Sequence, residues 1–244
     1  MFLGYKLKEN PAIGIILIIN LFYFLLLELD GGSKNWLTLV AWGAKEGTLI
    51  SRGEYWRLFS PIFMHIGFFH LISNTIGIII FGPIMEKIFG TNRFIIIYLI
   101  SGIWGNLFSF FSSYAVGAGA SGALFGLAGL YAAYLYINRG NLGSSGRESL
   151  IGLAWIIGIN LIFGFTMNGI DNSAHLGGLI SGWIGGLILA PKIISIFSLE
   201  EDSMPVHIER RVLNQKSMML WSMYIIINIC LIYLGVNIIS SAFY

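Results

Sequence analysis

Residues 117–126 read GAGASGALFG, a run of glycine and alanine that contains a single hydroxyl, on Ser121. Long apolar segments lie on both sides of this run. Glycine lets the backbone bend where other residues would be strained, and small residues let neighbouring helices come close together. The run therefore predicts a loop that leads directly into a closely packed helix, with Ser121 at the junction.

The composition is that of a helical membrane protein. The chain has 244 residues, of which 56% are hydrophobic and 11% are charged, whereas a soluble domain carries roughly 25% charged residues. Apolar runs recur along the chain, and a transmembrane helix needs about 17–25 such residues. We therefore predict an all-α polytopic membrane protein with seven transmembrane helices, at residues 11–29, 69–88, 94–113, 121–137, 149–166, 174–193 and 219–241.

The spacing of these segments indicates three parts. Residues 1–193 are predicted to form a core of six transmembrane helices, with a long first loop at residues 30–68. Residues 194–218 are rich in charge and are interpreted as a cytoplasmic tether, which joins the core to a seventh transmembrane helix in residues 219–244. The first apolar run is long for a cleaved signal sequence, so we interpret it as a retained span.

The placement of positive charges predicts the orientation in the membrane. If the N-terminus is cytoplasmic, ten lysines and arginines fall on the inner side and four on the outer side, in agreement with the positive-inside tendency. We therefore expect a cytoplasmic N-terminus and an external C-terminus. Few long loops and no visible transit peptide favour a multi-pass protein of the bacterial plasma membrane, with the lipid bilayer as its surroundings and no nucleic-acid partner.

Polar residues that are unusual in membrane helices gather at one face in this orientation. The second, fourth and sixth spans all begin at the outer face, and near their starts they carry His70 and Asn74, Ser121, and His175. An ionisable residue inside a membrane helix is costly and by default indicates function. We expect these four side chains to lie close together at the outer end of the bundle.

Ser121 has the surroundings that a nucleophile needs. Gly119 and Gly122 flank it in a G-x-S-G sequence at the start of the fourth span. The unpaired N–H groups in the first turn of a helix, and the positive end of the helix dipole, can stabilise a developing oxyanion. A serine that only caps the helix is the alternative.

His175 is the candidate base for that serine. Gly178 and Gly182 share one face of the sixth span with it, and the fourth span has its own stripe of small residues, which begins at Gly122. Helices with such faces can pack closely, which would bring His175 within reach of Ser121. A serine is a weak nucleophile until a base takes its proton. A histidine that only serves packing is the alternative.

His70 and Asn74 lie four residues apart, so they project from one face of the second span. Both side chains can donate hydrogen bonds, as an oxyanion hole requires. A metal site on His65, His70 and His175 is the alternative, but no acidic ligand and no H-E-x-x-H spacing accompany these histidines. We expect no metal and no cofactor, and we interpret His65 as structural.

Two further polar residues have predicted structural roles. Asp171 precedes His175 by four residues and could complete a Ser-His-Asp triad. Its position directly before the helix favours an N-cap instead. Asn160, midway along the fifth span, is expected to form a hydrogen bond between helices.

The motifs together resemble those of the rhomboid family of intramembrane serine proteases. They occur in the order of that family and within residues 11–193. Each motif alone is weakly specific, but the combination is highly specific. The matching residues are Trp56–Arg57, His65, His70, Asn74, Gly82, Glu86, Gly90, the G-A-S-G-A run at 119–123 and the A-H-x-G-G-x-x-x-G run at 174–182.

The resemblance implies a fold and a chemistry. It implies a six-helix core in which Ser121 is the nucleophile and His175 the general base. The oxyanion would be bound by His70, by Asn74 and by the backbone N–H of Ser121. The implied partners are transmembrane protein substrates, cleaved where their helix unwinds within the bilayer.

The resemblance also assigns supporting residues and leaves two other functions open. Trp56 and Arg57 would be structural elements of the first loop, and Phe125 would lie beside the ring of His175. A catalytically inactive relative could escort membrane clients, but the presence of both Ser121 and His175 argues against it. A transporter or channel is disfavoured, because the spans that carry these polar residues show no polar trail to the inner face.

Overall fold

The structure is a computed structural model and describes residues 10–167, 169–198, 206–212 and 217–242. Long helices joined by short connections make up most of this part of the chain. Two strands, β1 (Lys192–Ser198) and β2 (Val206–Val212), precede the last helix. The helices are α1 (Pro11–Leu29), α2 (Trp36–Ala41), α3 (Gly47–Ser51), α4 (Phe68–Phe89), α5 (Thr91–Ser112), α6 (Ser121–Ile137), α7 (Arg139–Thr166), α8 (Asn172–Leu189) and α9 (Ser217–Ala242).

The lengths of these helices suit a multi-pass membrane protein. Among the described residues, α1, α4, α5, α7 and α9 are long and apolar enough to cross a membrane. α6 is apolar but has 17 residues, and α8 is glycine-rich and begins with polar side chains. The predicted all-α polytopic fold is confirmed, and α6 begins and ends at the predicted residues.

Several element boundaries differ from the prediction. α8 ends at Leu189 rather than 193, because Pro191 has no backbone N–H to donate and disfavours a helical conformation in the residue before it. α7 begins at Arg139 rather than 149, and the backbone breaks at Gly143 (φ 54°, ψ −137°). The strands were not predicted. They pair antiparallel, with Lys192 opposite Val212, so β1 begins in the last two residues of the predicted sixth span and the rest of the pair lies in the segment interpreted as a tether.

The centre of the bundle is the contact between α6 and α8, which share the largest helix interface. A Cβ atom added to Gly178 would overlap the carbonyl oxygen of Gly122, and one added to Gly182 would overlap that of Gly126. The same register holds over both pairs, so the two helices run parallel with their backbones in contact. Only glycine permits an approach this close.

α5 completes the central layer against both of these helices. A Cβ atom at Gly105 would come within 2.8 Å of the Ala174 carbonyl oxygen at the start of α8. The side chain of Ser101 lies directly against Gly126 of α6. α4 and α7 flank α6, and α1 packs on α4. The first turns of α6 and α8 are therefore held by three mutually packed helices.

The first loop has a defined structure of its own. It contains α2, α3 and two 3₁₀ turns, Tyr55–Leu58 and Ser60–Phe63. Arg57 is buried and donates from Nη1 to the Val40 carbonyl at 2.7 Å, while its Nε donates to Glu54 at 2.7 Å. The half-exposed ring of Trp56 covers its guanidinium at 4.5 Å. Trp56 and Arg57 thus hold this loop together.

Glu86 connects three helices at the opposite end of α4. Its carboxylate is buried and accepts hydrogen bonds from the backbone N–H of Ala12 at 3.1 Å and from Thr91 Oγ1 at 2.8 Å. The backbone N–H of Ile13 donates to the other oxygen at 3.4 Å. A negative charge is stabilised next to the N–H groups of a first turn, so Glu86 anchors the starts of α1 and α5.

α7 and α9 lie at the periphery. Asn160 of α7 is exposed and donates to the Ile156 carbonyl of its own helix at 2.8 Å, so the predicted interhelical hydrogen bond is wrong because this side faces away from the bundle. α9 contacts α5 through a 2.7 Å hydrogen bond from Trp104 Nε1 to Asn228 Oδ1. Tyr224 of α9 lies against Gly185 of α8.

We predict that Gly178→Ala destabilises the protein by about 1–3 kcal/mol or more, the usual cost of overpacking, because the added methyl meets backbone that cannot rotate away. Gly158→Ala on α7 is the matched control, since nothing lies within 4 Å of its Cβ position. The measurement is the thermal unfolding midpoint in detergent. Equal midpoints for Gly178→Ala and the wild type would contradict the backbone contact.

Candidate active site

The glycine-rich loop before α6 is fixed at two points. The backbone of Gly117 exchanges two hydrogen bonds of 2.9 Å with Lys45 of the first loop. The N–H of Gly119 donates to the Pro61 carbonyl at 2.9 Å, and its φ of +144° lies in the region that favours glycine. Ser121 follows this loop as the first residue of α6 and is partly exposed. Ala120, not Ser121, is the N-cap residue.

His175 lies in the first turn of α8, behind the capping residue Asp171. Its ring is buried and stacks on Phe125 of α6, with ring centroids 4.1 Å apart and an angle of 7° between the planes. Phe125 follows Ser121 by one helical turn, so the two share a face of α6. The imidazole therefore lies over the face of α6 that carries the serine.

Ser121 and His175 thus occupy the first turns of two parallel helices whose backbones touch at Gly122 and Gly178. No hydrogen bond joins the two side chains in this described part of the chain. In resting enzymes the bond between nucleophile and base is often long and tightens only with substrate bound. The packing places both residues at the starts of neighbouring helices.

Asp171 acts as a helix cap. Its Oδ1 accepts a hydrogen bond from the N–H of Ala174 at 3.0 Å, and its Oδ2 accepts one from Ser109 Oγ. His175 Nδ1 has no hydrogen-bond partner among the described residues. The N-cap interpretation of Asp171 is confirmed, and the carboxylate is engaged by groups other than the imidazole.

His70 points from α4 towards the glycine-rich loop. Its Nε2 is 2.8 Å from the position that a Cβ atom on Gly119 would take, so residue 119 has no room for a side chain. Its Nδ1 accepts a hydrogen bond from the N–H of Ile66 at 3.4 Å. A neutral imidazole that accepts at one nitrogen carries its proton on the other, which assigns a donor to Nε2 on the side of the loop before Ser121.

Asn74 is buried one turn further along α4 and donates from Nδ2 to the His70 carbonyl at 2.9 Å. Its amide retains a second N–H. Three residues further along α4, Gly77 packs against Leu124, which lies three residues after Ser121 on α6. His70 lies against Gly119 and Gly77 against Leu124, so α4 and α6 run in the same direction and Asn74 is close to the level of Ser121.

His65 supports this arrangement from the first loop. Its ring is fully buried and packs edge-on against His70, with centroids 5.4 Å apart and an interplanar angle of 69°. Burial lowers the pKa of His65 to about 3. His65 is therefore neutral in the folded protein over the whole physiological range.

We predict that His65 makes the fold sensitive to acid. The unfolded state binds its proton near pH 6.5 and the folded state near pH 3, so stability is full above pH 6.5 and falls as the pH drops from there towards 3. His65→Phe keeps a planar ring and removes this titration. The unfolding midpoint of the variant, measured from pH 7.5 to 4, should fall less steeply than that of the wild type. Parallel curves would contradict the prediction.

The structure also reveals residues that sequence analysis missed. Lys45 is buried, with 1% of its surface exposed, and contacts both Gly117 and Ser109. The sequence places this lysine in a loop among the outer charges, with no signal that it is buried. Pro61, whose carbonyl holds Gly119, acts through its backbone, which no side-chain pattern records.

Comparison with known proteins shows which family this chain resembles. The family model for the Rhomboid domain matches residues 52–192. Rhomboid protease GluP of Bacillus subtilis (strain 168) is 45% identical over 175 residues, which are 72% of this chain and 34% of GluP. RHOMBOID-like protein 1 of Arabidopsis thaliana is 39% identical over 184 residues, which are 75% of this chain and 42% of that protein. YdcA of Bacillus subtilis (strain 168) is 34% identical over 145 residues, which are 59% of this chain and 71% of YdcA.

The chain belongs to the rhomboid family, since the family model covers more than half of its residues. The matched region spans 34% of the length of GluP and 42% of RHOMBOID-like protein 1. Residues 52–192, which the family model matches, include the glycine-rich loop, Ser121, His70, Asn74 and His175.

Proposed function

We propose that the protein is an intramembrane serine endopeptidase that cleaves transmembrane segments of other membrane proteins. The observation that carries this proposal is the stacking of His175 on Phe125, one turn from Ser121, across two helices in backbone contact. Membership of the rhomboid family and similarity to rhomboid protease GluP support it. Ser121 and His175 act as a dyad.

The proposed reaction uses the dyad in two steps. His175 takes the proton from Ser121 Oγ as this oxygen attacks the scissile carbonyl carbon, and then gives the proton to the leaving amine. Water then attacks the carbonyl carbon of the remaining acyl-enzyme while His175 takes a proton from it. The ester bond to Ser121 Oγ breaks, and His175 returns the proton to this oxygen, which releases the acid product and regenerates the serine. Stacking on Phe125 fixes the plane of the imidazole through both transfers, so no carboxylate is needed to orient it.

The oxyanion of each tetrahedral intermediate is proposed to lie between α4 and the start of α6. The backbone N–H of Ser121 is in the first turn of α6, where helix N–H groups lack partners within the helix. His70 Nε2 and the free N–H of Asn74 reach the same level from α4. Each donor of this kind contributes about 10²–10³-fold to the rate in related chemistry.

The site is proposed to open at the outer face of the membrane. The distribution of lysine and arginine favours a cytoplasmic N-terminus and an external C-terminus, as expected for a multi-pass protein of a bacterial plasma membrane. In that orientation α4, α6 and α8 all begin at the outer side. Water and an unwound substrate segment would reach Ser121 from the outer side. A site at the centre of the bilayer would have no such access to water.

We predict that purified protein cleaves a single-span membrane substrate, and that Ser121→Ala and His175→Ala each reduce cleavage to background. His70→Ala and Asn74→Ala should each lower kcat by roughly 10²–10³-fold, as removal of an oxyanion donor does. Ser73→Ala is the matched control, since this serine is exposed on α4 and only donates within its own helix. Cleavage that persists in Ser121→Ala would contradict the proposal.

Substrates are proposed to reach the site laterally past α7. This helix is the least buried of the candidate spans: 6% of the residues in its apolar stretch are buried in the protein. Its bulky side chains Trp155 and Phe163 are 68% and 52% exposed. Asn172 ties its end to α8 by a 3.1 Å hydrogen bond to the Leu161 carbonyl. A helix with few buried residues can move away from its neighbours more easily than one that is buried along its length.

We predict that joining α7 to the outer half of α4 blocks cleavage of a membrane substrate. Paired cysteines, one near Phe163 and one on α4, would be linked by a bifunctional thiol reagent in a Cys230→Ser background, because Cys230 is the chain's single cysteine and is exposed. Labelling of Ser121 by a small fluorophosphonate should persist, since this probe needs no lateral opening. Unchanged substrate cleavage after linkage would refute the gate.

A further inference from the structure

Lys45 occupies an unusual position for a charged residue. It lies in the first loop between α2 and α3 and is 1% exposed. A lysine is almost never this buried unless it is paired. Its backbone contacts the loop that leads to Ser121, and its side chain is linked through Ser109 to the residue that caps the helix of His175.

The backbone of Lys45 holds the segment that leads to Ser121. Its N–H donates to the Gly117 carbonyl at 2.9 Å, and the N–H of Gly117 donates back to the Lys45 carbonyl at 2.9 Å. Next to this bridge, the N–H of Gly47 donates to the Tyr114 carbonyl at 3.0 Å. These bonds fix the start of the glycine-rich loop, four residues before Ser121.

The side chain of Lys45 is joined through Ser109, at the end of α5, to the residue that caps the helix of His175. Nζ donates to Ser109 Oγ at 2.8 Å and to the Ser113 carbonyl at 2.7 Å. Ser109 Oγ in turn donates to Asp171 Oδ2. Asp171 is the N-cap of α8, four residues before His175. An unbroken chain of hydrogen bonds therefore runs from the ammonium group to the first turn of α8.

Burial and neighbouring carboxylates have opposite effects on the pKa of Lys45. Burial lowers the pKa of Lys45, and the carboxylates of Asp171 and Glu46 oppose this shift. Glu46 already caps α3, where its oxygens accept from the N–H groups of Thr48 and Leu49. Asp171, which Lys45 reaches through the hydroxyl of Ser109, is thus the carboxylate that links Lys45 to the proposed active site.

We propose that Lys45 is a positioning residue that sets the distance between Ser121 and His175, by clamping the glycine-rich loop with its backbone and the cap of α8 with its ammonium group. This inference rests on the proposed protease function. Backbone contact between α6 and α8 fixes how close the helices are, but the dyad also depends on the first turn of each. Lys45 is bonded directly to the loop before the first of these turns, and through Ser109 to the cap of the second.

The first test is Lys45→Met, which keeps an unbranched stem and the backbone bridge and removes the ammonium group. We expect kcat for a membrane substrate to fall roughly 10- to 100-fold, as misplacement of reacting groups by about 1 Å does, with KM within about twofold because no substrate contact is lost. The rate at which a fluorophosphonate labels Ser121 should fall in parallel. Lys34→Met, at an exposed lysine of the same loop, should match the wild type.

The second test measures coupling along the chain. Ser109→Ala removes the bridging hydroxyl, and Asp171→Asn keeps an acceptor for the Ala174 N–H while removing the charge. Each should lower kcat, and Lys45→Met/Asp171→Asn should lower it no further than the worse single variant, because both act through one connection. If Lys45→Met fails to fold, Ser109→Ala carries the same test with a smaller change.

Three results separate the possible failures. A wild-type protein that neither cleaves substrate nor labels at Ser121 would overturn the protease function itself. An active wild type with unchanged kcat and labelling rate in Lys45→Met and Ser109→Ala would overturn the positioning role alone. Variants that lower only the unfolding midpoint, with kcat per labelled molecule unchanged, would make Lys45 a structural residue and also overturn it.

Discussion

The contact between the backbones of α6 and α8 is the constraint on which the rest of the molecule depends. Gly178 and Gly182 face Gly122 and Gly126 so closely that no other residue fits. Parallel helices in such contact bring their first turns to the same depth. In a membrane, where burial of apolar surface drives helix association only weakly, close backbone packing of this kind is a main source of affinity between helices. The same contact therefore stabilises the bundle and brings the starts of α6 and α8, with Ser121 and His175, close together.

The other helices and the first loop position the residues around the starts of α6 and α8. Gly105 of α5 packs against the starts of both α6 and α8. The contact of Gly77 with Leu124 aligns α4 with α6, so that His70 and Asn74 lie near the level of Ser121. In the first loop, the Pro61 carbonyl accepts a hydrogen bond from Gly119, and the backbone of Lys45 exchanges two hydrogen bonds with Gly117. Rigid elements surround the proposed dyad on three sides, while the largely exposed α7 forms the remaining side.

Much of this arrangement could be predicted from the sequence, because it rests on local and periodic signals. The apolar runs predict the helices, the glycine stripes predict the pairing of α6 with α8, and rare polar residues mark His70, Asn74, Ser121 and His175. What could not be predicted depends on contacts distant along the chain. The burial of Lys45 against Ser109, and the pairing of β1 with β2, are set by tertiary packing, which overrides local propensity. Asn160 was misassigned because a polar residue in a span does not record which way it faces.

Mass spectrometry of the protein after reaction with a fluorophosphonate tests the central claim most directly, since this reagent modifies serine only where a base activates it. The chain contains several other serines on its helices, among them Ser73, Ser101 and Ser181, which provide an internal comparison. We expect a single phosphonyl adduct on Ser121 that forms in the wild type and is lost in His175→Ala. An adduct on another serine, or one on Ser121 that forms equally fast without His175, would contradict it.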